Sequence, residues 1–287
     1  MGSTNRSARD LGSSDLVWDF MSRPRTESML DRVQPAADAG YAALGIFLSS
    51  WVEMRDDPDA VARFEDALGR TGLVLANIET ARGWAAPDRP TAACLEMEAL
   101  AWEIADRCEC RYLQVIGDYE GTLAEAGRGF AALCDRAADH GLLGGLEPVP
   151  QRTTIDSLAL AAEIVERADR DNGGICFDSW HFTRSTNDIA DIDALDGQRI
   201  LSTQWNDGTV EPAIADYYTD TLASRVAPGE GEFQLVEMIK ALNRIGCTAP
   251  VGLEVPGAAL WVAPIDEAAS HVAEAMRRIL AEARATS

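Results

Sequence analysis

Eight apolar, partly β-branched runs recur along the chain, each followed by a segment with helical spacing. This alternation restricts the possible folds more than any other feature. The runs cover 16–21, 41–48, 73–79, 112–117, 142–148, 174–179, 200–206 and 251–256. They are close to continuously apolar, as parallel strands buried on both faces must be. Between them, Val61, Phe64 and Leu68 share one helical face, and so do Cys94, Met97, Ala101, Ile104 and Cys108. Phe233, Val236, Ile239 and Ile245 repeat the pattern, and Ile265, Ala268, Val272, Met276 and Ile279 form a last stripe behind Pro264. Eight strand–helix units predict an α/β fold, a (β/α)8 TIM barrel in a single domain. A doubly wound open sheet is the structural alternative. No G-x-G-x-x-G follows the first strand, which weakens its nucleotide-binding version. Pro35 is expected either to kink the first helix or to mark where it begins. The length of 287 residues suits one such barrel, and no linker divides it. The barrel is placed at 15–287, behind a polar tail over 1–14 that is expected to be disordered and has no apolar signal-peptide core.

The formal net charge is −22. Affinity for nucleic acid rests on cationic neutralisation of phosphates, so this balance argues against a nuclease or any nucleic-acid partner. No stretch approaches the length of a membrane span. The six cysteines, Cys94, Cys108, Cys110, Cys134, Cys176 and Cys247, contain no C-x-x-C pair. They suit a reducing compartment, and a cytoplasmic location is expected.

In barrels of this kind chemistry sits at the C-terminal strand ends, so the polar residue that closes each apolar run is informative. Four late strands answer alike: Glu147 after GGL, Asp178 after GICF, Gln204 after ILST and Glu254 after VGL. One acid at a strand end is as often a loop cap as a functional group. Three carboxylates converging at one mouth repel one another, and a bound cation resolves that conflict. Oxygen-rich ligation suits a hard divalent ion, Mn²⁺ or Mg²⁺, better than a thiolate-seeking one. His181 follows Asp178 by three residues and is a candidate substrate-binding group, proton carrier or further ligand. His140 and His271 read as structural. The turn-rich segment 227–233 can either present backbone amides near the seventh strand or simply connect elements. Trp51, Glu79, Arg152 and Arg184 also follow strand ends. Trp51, Glu79 and Arg152 are the substrate-binding candidates, with Arg82 and Asp118 on neighbouring loops.

At LEPVP, CFDSWHF, QWND, PGEGEF and GLEVPG the chain resembles the sugar phosphate isomerase/epimerase family, the xylose isomerase-like barrels, over essentially residues 15–285. D-x-x-H followed by P-G-E-G-E and a final strand glutamate is a fairly specific combination, while each piece alone is weak. The resemblance implies that Glu147, Asp178, Gln204 and Glu254 bind one divalent metal. It also implies that Glu147 and Glu254 shuttle protons and that His181 contacts substrate. The seventh-strand ligand of the family is commonly histidine, and here it is Gln204, a weaker neutral ligand. Asp207 is an alternative ligand, or a loop cap.

The expected chemistry is proton abstraction next to a carbonyl of a sugar or keto-polyol, through an enediolate, by a metal-dependent isomerase or epimerase. A lyase of the same fold is the runner-up: a keto-polyol dehydratase, or a 3-keto-glycoside eliminase or deglycosidase subunit. In that case Trp51, Trp84, Trp180, Trp205 and Trp261 are candidate aromatic walls for a bulky aglycone, although core packing explains tryptophans more often. A non-catalytic binding barrel that holds no metal is the rival from another class. The partner is a small carbohydrate-like molecule. Both a homodimer and a hetero-oligomer with a second subunit are open.

Overall fold

A strand whose two faces are both apolar needs a covering on each side, and a closed ring of such strands wrapped in helices provides it. The computed structural model describes residues 7–85, 90–185 and 187–285 and shows this arrangement. Strands β1 (Leu16–Trp18), β2 (Ala43–Phe47), β3 (Val74–Ala81), β4 (Tyr112–Val115), β5 (Leu143–Leu146), β6 (Gly173–Asp178), β7 (Ile200–Trp205) and β8 (Val251–Leu253) form a closed barrel in sequence order. All pairings are parallel. The ring closes where Leu16, Val17 and Trp18 pair with Val251, Gly252 and Leu253. Each strand falls on one of the eight apolar runs.

The connecting helices are α1 (Met29–Asp38), α2 (Leu48–Arg55), α3 (Pro58–Thr71), α4 (Ala92–Cys108), α5 (Leu123–Ala138), α6 (Leu158–Ala168), α7 (Ser179–Arg184), α8 (Ile189–Asp193), α9 (Tyr217–Ala223), α10 (Leu235–Arg244), α11 (Ala258–Val262) and α12 (Ile265–Ala285). Their starts follow local chemistry. The Ser28 hydroxyl accepts from the Asp31 amide ahead of α1. Thr122 and Glu125 form a reciprocal capping box on α5, worth on the order of 1 kcal/mol. Pro35 lies inside α1, which begins six residues earlier behind its serine cap. Of the polar N-terminal stretch, residues 1–6 lie outside the described residues. Ala8–Asp10 forms a 3-10 turn, and Leu11 packs under Val17, Ala43 and Ala76 at the bottom of the barrel. No described helix is long and apolar enough to cross a membrane.

The main core is the layer between strands and helices. Trp18, Leu44, Ile46, Leu113, Val115 and Phe177 are buried there against helical side chains such as Phe64, Ile104, Phe130 and Ile164. Each such side chain contributes roughly 1.5–3 kcal/mol on removal from water. The barrel axis differs. Barrels of this type are usually filled with branched aliphatic layers. Here Asp19, Asn77, Tyr112, Gln114, Cys176 and Gln204 are buried polar or thiol-bearing side chains on or just after the strands. Strand glycines leave room for them. A Cβ at Gly145 would overlap the Tyr112 hydroxyl, and one at Gly252 would stand 2.7 Å from Asp19 Oδ2.

Candidate active site

The C-terminal mouth of the barrel is a cavity of about 860 Å³. Glu79, Gln114, Glu147, His181, Arg225 and Glu254 line its inner part, and Arg25, Arg82, Arg152 and Tyr218 belong to its wall. That volume lies within the range of small-molecule sites.

Asp178 ends β6 and caps α7. Its Oδ1 accepts from the Trp180 amide at 2.6 Å and from the Asn206 side chain at 3.1 Å, which fixes the carboxylate plane. Oδ2 is thereby aimed at the site. It lies 2.9 Å from Arg225 Nη1 and 3.8 Å from His181 Nε2. The D-x-x-H spacing works because the short helix starts at once and returns His181 over the same strand end. Tyr217, the first residue of α9, holds the other ring nitrogen, with its hydroxyl 2.6 Å from His181 Nδ1. Nε2 then stands 3.3 Å from Glu147 Oε1. Glu147 is oriented from its other side by Gln114, whose Nε2 donates to Oε2 at 2.7 Å. Glu147, Asp178 and His181 each offer one ligand atom, all within 4.8 Å of one another, a grouping able to hold a metal ion.

Glu254 joins this group through Arg225. The same Nη1 that meets Asp178 donates to Glu254 Oε2 at 2.8 Å. One buried guanidinium thus bridges two carboxylates, doing the neutralising work expected of a cation alone. Gln204 lies beneath. Its Oε1 is 3.4 Å from Cys176 Sγ, and its amide faces the Asp19 carboxyl. Among the described residues five buried side-chain polar atoms make no well-formed hydrogen bond, and four of them, Asp19 Oδ2, Asn77 Oδ1, Tyr112 Oη and Gln204 Nε2, belong to the barrel axis, where Gln204 neighbours Asp19 and Cys176 neighbours Tyr112. Buried polar groups are nearly always satisfied, so this concentration marks the axis as a place built for polar company. With the convergent oxygen and nitrogen donors, it makes the residues present fit a hard or borderline divalent ion.

The electrostatics follow from burial and from which carboxylates have partners. Burial pushes Asp178 up, but Arg225, His181, the Asn206 amide and the Trp180 N–H together outweigh it and hold Asp178 below the usual carboxylate range. Glu254 is raised well above that range by burial, which Arg225 opposes and Asp178 and Glu147 reinforce. Glu79 is likewise raised by burial and by its acidic neighbours, Asp19 first. Asp19 is pushed up to about 7, again mainly by burial. Asn77 ties these two together, its Nδ2 donating at 2.8 Å to each.

Of the candidate substrate-binding residues, Glu79, Arg152 and His181 line the cavity, as do Arg82 and Asp118. Trp51 does not. It is fully buried, and its Nε1 donates at 2.9 Å to Glu103 of α4. The helix after β2 starts at Leu48 without a loop, so Trp51 is one turn in and faces the core. None of the five tryptophans proposed as aromatic walls lines the cavity; Phe47, Tyr217 and Tyr218 do. Arg184 is buried against Asp220. Asp207 is a loop cap. Its carboxylate accepts from the amides of Gly208, Gly229 and Phe233, so the amides of segment 227–233 serve the loop. His140 pairs with Asp106 and stacks on Trp102, and His271 meets Glu230. All six cysteines are free.

Arg225, Asp19, Gln114, Asn77, Tyr217 and Asn206 belong to the site or its supports and were not among the sequence candidates. Asp19 follows β1 directly, but the apolar run continues through Phe20 and Met21, so reading only the residue that closes each run passes over it. Arg225 lies in the connection between β7 and β8, where no periodicity singles it out.

An eight-stranded parallel barrel whose late strands bring two carboxylates and an imidazole to one point defines the class: a (β/α)8 barrel with a candidate metal centre at its mouth. Residues 33–280 match the family model described as xylose isomerase-like TIM barrel, and the chain belongs to that family. Among curated relatives, an inosose isomerase of Bacillus subtilis (strain 168) is 34% identical over 125 residues, and the match spans 43% of either chain. A 3-dehydroshikimate dehydratase of Pseudomonas aeruginosa is 32% identical over 124 residues, 43% of this chain and 19% of that one. The chain therefore matches less than half the length of these relatives. Among solved structures, an IOLI protein with a bound zinc atom superposes with a TM-score of 0.81 at 18% identity, covering 93% of this chain and 98% of that one. This likeness concerns the fold.

Proposed function

We propose that this chain is a divalent-metal-dependent isomerase or epimerase that moves a proton next to a carbonyl in a sugar or cyclic keto-polyol. One observation carries the reading: Glu147, Asp178 and His181 offer ligand atoms within 4.8 Å of one another at the mouth of the barrel. Mn²⁺ or Mg²⁺ suits these donors, with Glu147, Asp178 and His181 as the grouped ligands and Gln204 and Glu254 as further candidates for the set. When bound, such an ion polarises a carbonyl and stabilises negative charge on its oxygen.

The protein's own groups supply the rest. β5 and β8 are three steps apart around an eight-stranded ring, so Glu147 and Glu254 approach a substrate from different sides. Glu147, oriented by Gln114, removes the proton from the carbon next to the carbonyl. Glu254 is positioned to return one from the other face, and that return gives epimerisation. Return to the neighbouring carbon gives isomerisation. Tyr217 sets the imidazole tautomer. When its hydroxyl donates to Nδ1, Nε2 carries the proton and donates to Glu147 or to substrate. When it accepts from Nδ1–H, Nε2 presents a lone pair. The relative named as a dehydratase favours a second reading, loss of a β-hydroxyl after the same first step.

The test is to load purified protein with Mn²⁺, Mg²⁺ or Zn²⁺, measure the bound ion, and incubate with an inosose and with 3-dehydroshikimate. An isomer or epimer from the inosose, with exchange of the α-proton for solvent deuterium, supports the main reading. A product with a new double bond supports the lyase. A protein that binds neither ion nor shows exchange is the non-catalytic binder, with Arg225 as its permanent counter-ion.

A further inference from the structure

The chain has 47 acids to 25 bases, and many of its arginines hold a carboxylate. Arg23, Arg107, Arg136, Arg170 and Arg244 each hold one in two-pronged contact. Arg25, Arg82 and Arg152 have no ion-pair partner among the described residues, and all three line the same cavity. They arrive from different places: the loop after β1, the end of β3 and the loop after β5. The Arg25 guanidinium lies over the Phe47 ring at 4.4 Å, and one of its nitrogens approaches the Met21 sulfur at 3.8 Å. Arg152 lies over Tyr218 at 4.3 Å. Stacking covers the face of a guanidinium and leaves its in-plane N–H fork available. Arg82 is crowded by its like. Its guanidinium is depressed by partial desolvation first and then by Arg152, with Arg25 a weaker contributor and Glu147 opposing. Three guanidinium groups gathered on one cavity wall, none closed into an ion pair although Asp118 and Glu147 line the same cavity and Asp216 lies near Arg152, are arranged for an anion that comes from outside.

We propose that the substrate of this site carries a carboxylate or phosphate on the end remote from its reacting carbon, gripped by Arg82 and Arg152 with Arg25 at the rim. The inference rests on the mouth being the catalytic pocket. The charge gradient would also orient the substrate. The inner end, with Glu79, Glu147, Asp178 and Glu254, repels an anionic group, and the rim attracts it, so the carbonyl end is driven inward.

The experiment uses full-length, metal-loaded protein and isothermal titration calorimetry with three probes: a neutral inosose, 3-dehydroshikimate as the ring carboxylate, and a ketohexose 6-phosphate. At least one anion is expected to bind about tenfold or more tightly than the neutral probe, with a preference that shrinks as salt rises. Which anion wins identifies the group. The double variant Arg82→Ala/Arg152→Ala should bring the ratio of anionic to neutral affinity close to one. The double lysine variant, which keeps charge but loses the fork, should recover part of it. Equal affinity for all three probes overturns the proposal, and so does a preference that survives the double alanine change. A circular-dichroism melt confirms that the exposed-site variants are folded. Calorimetry does not need turnover. An inert protein with the anion preference intact would sink only the catalytic reading, while turnover of the neutral probe without that preference would sink only this one.

Discussion

Replacing Arg225 with methionine, which keeps most of the side-chain length and removes the charge, tests the electrostatic core of the site. In the wild type one Nη1 serves Asp178 at 2.9 Å and Glu254 at 2.8 Å, and all three side chains are buried. Removing one partner of a buried ion pair costs roughly 3–5 kcal/mol, because the charge left behind has neither water nor counter-ion. Here two carboxylates are left, and proton uptake by Glu254, already raised well above its ordinary value, relieves part of the repulsion. A loss of about 3–5 kcal/mol at pH 7.5 in the presence of chelator is therefore expected, read from urea unfolding. A divalent ion replaces the missing positive charge. It should bind Arg225→Met more tightly than wild type, since no guanidinium competes for the same oxygens. At a hundredfold excess over Kd it would restore about 2.7 kcal/mol. The pH dependence has a definite sign. Asp178 is held below its ordinary range when folded, so its contribution is present above the unfolded carboxylate value and is lost as pH falls through the folded one. The gap between variant and wild type should therefore narrow in acid. Unchanged stability in chelator, together with unchanged metal affinity, would refute the idea that Arg225 and a metal ion answer the same need.

Three further outcomes are expected. Asp19 is raised to about 7, so its contribution is complete below its unfolded value and is lost as pH rises through about 7. Asp19→Asn should flatten the fall in urea midpoint between pH 5 and 8, and parallel curves would contradict this. Tyr217→Phe removes the hydroxyl that sets the His181 tautomer and should weaken Mn²⁺ binding about tenfold by calorimetry, within the range seen for such supporting groups. Glu254→Gln should abolish turnover while leaving the melting curve cooperative. Undiminished activity would remove Glu254 from the mechanism.

The barrel was legible in the sequence because a parallel strand covered on both sides has no room for polar alternation, so eight apolar runs stand out. Glu147, Asp178 and Glu254 were legible for a related reason: each interrupts such a run where the chain leaves the sheet. His181 lies beside Asp178 because a helix starting at Asp178 makes a spacing of three a spatial return. Trp51 was misplaced by the same logic, since a strand that turns directly into a helix puts its fourth residue back into the core. Arg225 was out of reach. It enters the site from a long connection, by tertiary folding that leaves no local pattern. The bridging guanidinium also shows why acids at strand ends do not by themselves prove a cation between them.

The glycines of β5 and β8 that leave room for Tyr112 and Asp19 imply a radial division of labour. Cohesion resides in the outer shell, where indoles and aliphatic chains interlock, and the central column is left to chemistry. Changes within that column should alter reactivity more readily than foldedness, provided its glycines stay. Filling them with methyl groups would crowd the column and strain the ring of strands itself.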